Sequence, residues 1–85
     1  MEPQEVILYP LMTEVTSRLI EKENRLVFIV NVKARKKDIR RAVEELYQVK
    51  VKDVNVAITP RGKKALVRLH PEYSATDVAI KLGIL

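Results

Sequence analysis

Val54-Asn55-Val56-Ala57-Ile58-Thr59-Pro60-Arg61-Gly62-Lys63-Lys64-Ala65-Leu66-Val67-Arg68-Leu69 reads as two β-strands folded back on each other. Val54, Val56 and Ile58 alternate with Asn55, Ala57 and Thr59, and the alternation resumes at Ala65, Val67 and Leu69 against Arg68 and His70. Each run therefore offers one apolar and one polar face, as a half-buried strand does. Pro60 presets the turn, and Gly62 supplies the left-handed conformation that closes short hairpin loops. Pro71 ends the second run because it has no ladder donor.

Upstream of the hairpin, Ile39, Ala42, Val43, Leu46 and Tyr47 recur at the spacing of one helical face. Before that helix, Leu26 to Val32 is apolar on both phases, with Leu26, Phe28, Val30 and Val32 on one side and Val27 and Ile29 on the other. Such a run predicts a central strand covered on both faces. Thr13 is placed to cap an earlier helix with Glu14 in its first turn and Val15, Leu19 and Ile20 as its apolar stripe. Val6-Ile7-Leu8-Tyr9, stopped by Pro10, predicts a first strand.

Downstream, Ser74-Ala75-Thr76-Asp77 resembles a helix start with an acidic capping box; Val78, Ala79 and Leu82 continue it to Gly83. The predicted order is βαβαββα in one domain over residues 1–85. Helices interleaved with strands and followed by a hairpin give an α+β domain whose single sheet is covered by helices.

Six of the nine residues from Lys33 to Arg41 are basic: Lys33, Arg35, Lys36, Lys37, Arg40 and Arg41. They fall where the firmest helix begins, although a helix N-terminus carries partial positive charge and favours anions. Arg35 even stands about where a capping Ser, Thr, Asn or Asp is preferred. Cations there point to an anionic partner, and phosphate is the usual guest of free N–H groups at a helix start. The plainer alternative is a solvated charged face. Arg61, Lys63 and Lys64 form a second basic group at the hairpin tip, with Arg68 in line with Lys64. Tip cations serve either solubility and edge protection or contact with a nucleic acid.

Composition narrows the partner. The 85 residues carry 16 Lys plus Arg against 11 Asp plus Glu, for a net charge of +5 and a pI near 9.7, which favours polyanions. Nucleic acid is the leading candidate and an anionic membrane surface the second. A basic helix that inserts into a membrane needs free apolar bulk, whereas here the apolar stripe is needed for the core. With no Cys there is neither a disulfide framework nor a thiolate metal site. Apolar runs are too short to span a bilayer and the first residues lack a basic signal-peptide opening, so a cytoplasmic protein is expected.

Catalysis finds no support. His70 is alone, no nucleophile or metal-ligand spacing surrounds it, and two Gly cannot build a phosphate-cradling loop. No catalytic residue, metal, cofactor or small-molecule substrate is expected. Base stacking is also poorly supplied: of Tyr9, Phe28, Tyr47 and Tyr73, Phe28 lies on the buried strand and Tyr47 on the core stripe. Any nucleic acid is expected to be read through backbone and shape.

Several segments in order resemble ribosomal protein L23 of the large subunit. They are Thr13-Glu14, Val27-Phe28-Ile29-Val30, Lys33-Ala34-Arg35-Lys36, Ile39 to Tyr47, Val49-Lys50-Val51, Val54-Asn55-Val56 and Lys63-Lys64-Ala65-Leu66-Val67-Arg68-Leu69. The resemblance covers nearly the whole chain. It implies a four-stranded antiparallel sheet, binding to large-subunit ribosomal RNA beside the polypeptide exit tunnel, and ribosomal protein L29 as neighbour. It also implies a share in the platform where the signal recognition particle and, in bacteria, a ribosome-bound chaperone dock. Carried over by position, Lys33, Lys36 and Lys37 match the family's RNA-facing turn, Lys63, Lys64 and Arg68 its basic strand, and Glu14 its exposed docking carboxylate. Glu14 is explained equally well as a first-turn carboxylate favouring the helix dipole.

The short Thr59 to Lys63 turn departs from the long tunnel loop of bacterial relatives, and the N-terminus lacks the basic extension of eukaryotic ones. An archaeal-type member is therefore expected. Arg35 and Leu66 replace a polar cap and an aromatic residue common in the family, which makes Arg35 a further candidate phosphate contact. The alternative reading is a free-standing basic regulatory or interaction domain off the ribosome.

Overall fold

A computed structural model describes residues 1–85. Its elements run α1 (Pro3–Val6), β1 (Ile7–Pro10), α2 (Glu14–Glu23), β2 (Arg25–Val30), α3 (Lys36–Tyr47), β3 (Val51–Thr59), β4 (Gly62–Leu69) and α4 (Ala75–Lys81). The strands form one antiparallel sheet in the order β1-β2-β4-β3. The expected hairpin is β3–β4, closing with Thr59 opposite Gly62. The free edge of β4 then takes β2, pairing Val30 with Lys63 and Arg25 with Arg68, which makes β2 central.

Residues Leu26, Phe28 and Val30 of β2 pack with Ala65, Val67 and Leu69 of β4 in one core cluster. The helices contribute Val6, Ile20, Ile39, Ala42, Val43, Ala75, Val78 and Ala79, which are all of their buried apolar residues. All four helices thus cover a single face of the sheet. On that face the Phe28 ring stacks on Tyr47 at 5.9 Å and 7° between planes, and burial raises the Tyr47 phenol's pKa above its ordinary value.

Val27 and Ile29 are buried but lie outside the cluster, on the opposite face. The predicted central strand, buried on both faces, is borne out. Neither belongs to the cluster that the helices build, and strand neighbours flank both: Val27 stands opposite Leu66, and Ile29 lies in register between Tyr9 and Lys64. Long side chains on flanking strands remove apolar neighbours from water through their aliphatic stems.

Strand ends, and the facing of one helix, differ from the sequence expectation. Val6 was expected in the first strand but closes α1, whose start is set by Pro3 at a position where its missing N–H does no harm. The strand that follows includes Pro10, tolerated because β1 is an edge. In α2, Val15 is 63% exposed and Thr16 is buried in its stead. The Thr16 hydroxyl donates to Thr13 O at 3.1 Å and accepts from Thr13 N at 2.7 Å, so a polar residue satisfied within its own turn can face the core. With the reciprocal bond from Thr16 N to Thr13 Oγ1 at 3.2 Å, this is a full capping box, and it sets the helix phase. Finally, β2 stops at Val30 and Val32 is 67% exposed. Asn31 ends the strand: its Oδ1 accepts from Lys33 N at 3.0 Å and its carbonyl from Ala34 N at 2.9 Å.

Gly62 has φ +123°, a conformation that L side chains rarely adopt. A Cβ built there would meet Ile29 Cγ2 at 3.9 Å, an ordinary contact, so the obstacle to substitution is the backbone itself. Gly62→Ala is expected to destabilise the fold by about 1–2 kcal/mol, read as a lower midpoint in urea unfolding with an unchanged slope.

Candidate nucleic-acid interface

The basic run starts as a turn hung from the end of β2. Ala34 is fully buried and anchors it, while Lys33, Arg35, Lys36 and Lys37 are exposed around that anchor. Arg35 takes the cap position of α3 with φ −99° and ψ 170°. Its guanidinium has no acceptor atom and cannot cap. Asp38 compensates: its Oδ2 accepts from Arg35 N at 2.9 Å, so half of a capping box survives and a carboxylate sits in the first turn. The helix start is therefore less adverse to its own dipole than the cations alone suggest. Asp38 is the residue that sequence reading passed over, and its position as third residue of the helix was the available signal.

The same end of the sheet carries the hairpin tip. Lys63 lies opposite Val30 in register, and its Nζ donates to Ala34 O at 2.5 Å, tying the tip to the basic turn. Lys64 points to the other face beside Ile29, and Arg61 is exposed in the turn. Two basic groups separated by about twenty-five residues in sequence thus form one continuous cationic end. Along α3, Lys36, Lys37, Arg40 and Arg41 span an arc of about 140° at 100° per residue, directly beside the apolar stripe.

Not all of these cations are free. Arg40 donates to Val51 O at 3.2 Å and to Lys52 O at 3.3 Å, fastening α3 to the start of β3. That contact also occupies backbone acceptors on an edge strand, a common protection of such edges. Glu44, on the same side of α3, accepts from Val51 N at 2.9 Å. Arg68 lies on the face of Lys64, as read from the alternation, but four residues away, about 13 Å along the strand. Its Nη2 stands 3.6 Å from Glu23 Oε1.

The chain has three ion pairs, Arg18–Glu14, Arg25–Glu23 and Arg68–Glu23. None involves the turn, α3 or the hairpin tip. Lys33, Arg35, Lys36, Lys37, Arg61 and Lys64 gather at one end without a carboxylate paired to any of them, and Arg41, likewise unpaired, continues the basic surface along α3. Such a surface repels itself and attracts a polyanion. Glu14 is on a different surface, the start of α2, where its side chain is 83% exposed and holds Arg18 at 2.8 Å. An exposed i, i+4 pair of this kind contributes little to stability.

The family profile described as Ribosomal protein L23 matches residues 5–78. The chain is 51% identical over 85 residues to the large ribosomal subunit protein uL23 of Methanothermobacter thermautotrophicus, covering 99% of each chain. It is similar to the same degree, with the same coverage, to the large ribosomal subunit protein uL23 of Methanococcus aeolicus.

Proposed function

The chain belongs to the ribosomal protein L23 family, in its archaeal type, and on that premise we propose that its cationic end binds folded large-subunit ribosomal RNA beside the polypeptide exit tunnel. The family is a structural constituent of the large ribosomal subunit, cytoplasmic in archaea, and is not enzymatic. The observation that carries the RNA assignment is the gathering of six unpaired cations at one end of the sheet, with Arg41 extending it along α3. Their work is to displace counterions from clustered phosphates, which gives affinity without base reading. Lys63 and Arg40 act beside them as braces that hold the turn and α3 in place, through their bonds to Ala34, Val51 and Lys52. Arg68 belongs to a separate end of the same surface.

A second surface completes the proposal. Glu14, exposed at the start of α2, contributes to the docking platform for the signal recognition particle and other nascent-chain factors, and L29 is the neighbour on the same rim. The match of Thr13-Glu14 to the family's docking segment supports this reading. Glu14→Lys is expected to weaken recruitment of the targeting particle to large subunits while leaving RNA affinity unchanged; equal recruitment by the two proteins removes Glu14 from the platform.

Sedimentation through sucrose tests the assignment as a whole. The native protein is expected to travel with large subunits and to be released by high salt. Protein that remains at the top of the gradient while subunits migrate rejects it.

A further inference from the structure

At the end of the sheet away from the hairpin tip, Arg25 and Arg68 face each other across β2 and β4. Like charges placed directly opposite repel. The carboxylate between them is Glu23, whose Oε1 is 3.4 Å from Arg25 Nε and 3.6 Å from Arg68 Nη2, both beyond good hydrogen-bond length. Arg25 Nε and Arg68 Nε are buried without an acceptor. Asp53 stands next to Arg68 in register, yet its Oδ1 is also buried without a partner. Buried polar groups are normally matched, and this row leaves two guanidinium donors against one carboxylate oxygen without partners.

Beside the row opens a groove of about 330 Å³ whose lining includes Lys22, Glu23, Asn24, Lys52, Arg68 and Pro71. Lys22 comes from the last turn of α2, and Lys52 from the irregularity where the β3–β4 register shifts between Val51 and Asp53. Four cations, Lys22, Arg25, Lys52 and Arg68, thus meet two carboxylates, Glu23 and Asp53. A ligand that supplies several charged acceptor oxygens on a compact centre matches that deficit, and guanidinium pairs favour such an oxyanion.

We propose that this groove is a second phosphate site, which holds a phosphodiester of the RNA backbone at the far end of the sheet from the hairpin tip. The inference rests on the RNA-binding reading of the protein and extends it: the sheet spans two backbone contacts, about 13 Å of strand apart, and acts as a bridge.

Arg68→Ala removes an ion pair of the fold as well as the site, so the test uses the exposed lysines. Binding of the full chain to large-subunit RNA is measured across a salt series. Lys22→Ala with Lys52→Ala is expected to flatten the plot of log affinity against log salt by roughly 0.7–0.9, the loss of one phosphate contact. Arg18→Ala with Lys81→Ala, which removes the same charge elsewhere, is expected to leave the native slope. If the Lys22 and Lys52 pair leaves the slope unchanged, or if both pairs flatten it equally, the second site is overturned while the RNA-binding reading stands. If the native chain itself binds without salt dependence, that reading falls and takes the second site with it.

Discussion

Replacing Arg35, Lys36 and Lys37 together with alanine is expected to lower affinity for large-subunit RNA on the order of a hundredfold and to flatten its salt dependence by roughly 2 to 3 log units per log unit of salt. Each side chain is exposed and carries neither an ion pair nor a side-chain hydrogen bond. The loss is therefore a loss of phosphate contacts, and thermal stability is expected to hold or rise slightly as like charges are removed. The choice of residues matters. A set that included Arg40 or Lys63 would mix RNA contact with folding, because both donate to backbone carbonyls of neighbouring elements. The measurement is a titration of native and triple-variant protein at several salt concentrations, with an unfolding curve for each. An unchanged slope would remove the basic turn from the interface.

The largest loss of stability from a single polar side chain is expected at Asn24, the residue that closes α2 in the left-handed conformation with φ 56°. Its side chain joins the β2 end of the molecule to the segment that leads into α4. Nδ2 donates to Tyr73 O at 2.9 Å, with longer approaches to Leu69 O at 3.3 Å and His70 O at 3.4 Å. Oδ1 accepts from Ala75 N at 2.7 Å, which fills one of the open donors at the start of α4. Asn24→Ala forfeits the two short bonds, leaves their backbone partners unmatched, and forces a Cβ-bearing residue without local polar compensation into the left-handed region. The sum is about 3 kcal/mol, or a fall in Tm of roughly 12–24 °C for a domain of this size. Asn24→Gly keeps the backbone conformation and loses only the hydrogen bonds, so it is expected to fall between native and Asn24→Ala. If the two variants unfold at the same point, backbone conformation has no share in the role of Asn24.

Local patterns made most of the fold legible. The alternation through Val54, Val56, Ala65 and Val67 announced the hairpin, the spacing of Ile39, Ala42, Val43, Leu46 and Tyr47 announced α3 although Leu46 ends exposed at the rim of that stripe, and Thr13 and Ser74 cap the helices that were expected to follow them. What escaped was decided by side-chain chemistry or by distant pairing. Val15 looks like core on hydrophobicity, but the hydroxyl exchange between Thr13 and Thr16 turns the helix so that Thr16 is buried. Val32 looks like strand, but Asn31 folds the chain into a turn one residue earlier.

The site shows the same division. Its cations are visible as composition and spacing, whereas which of them are free is a tertiary fact. Nothing near Arg40 in sequence says that it reaches Val51 and Lys52, and nothing near Lys63 points to Ala34. Arg25 was not singled out at all. It acquires meaning only through the β2–β4 pairing, which skips a strand in chain order and sets it against Arg68.

The chain has no cysteine, so a single one can be introduced as a unique attachment point. Hydroxyl-radical probing of the assembled large subunit from an iron chelate tethered at Lys33→Cys, compared with one at Ile80→Cys on the exposed side of α4, tests the central claim most directly. The account predicts strong cleavage of large-subunit RNA from position 33 and background cleavage from position 80. Cleavage from position 80 with none from position 33 would contradict it, because the RNA would then lie against the helical face and away from the cationic end.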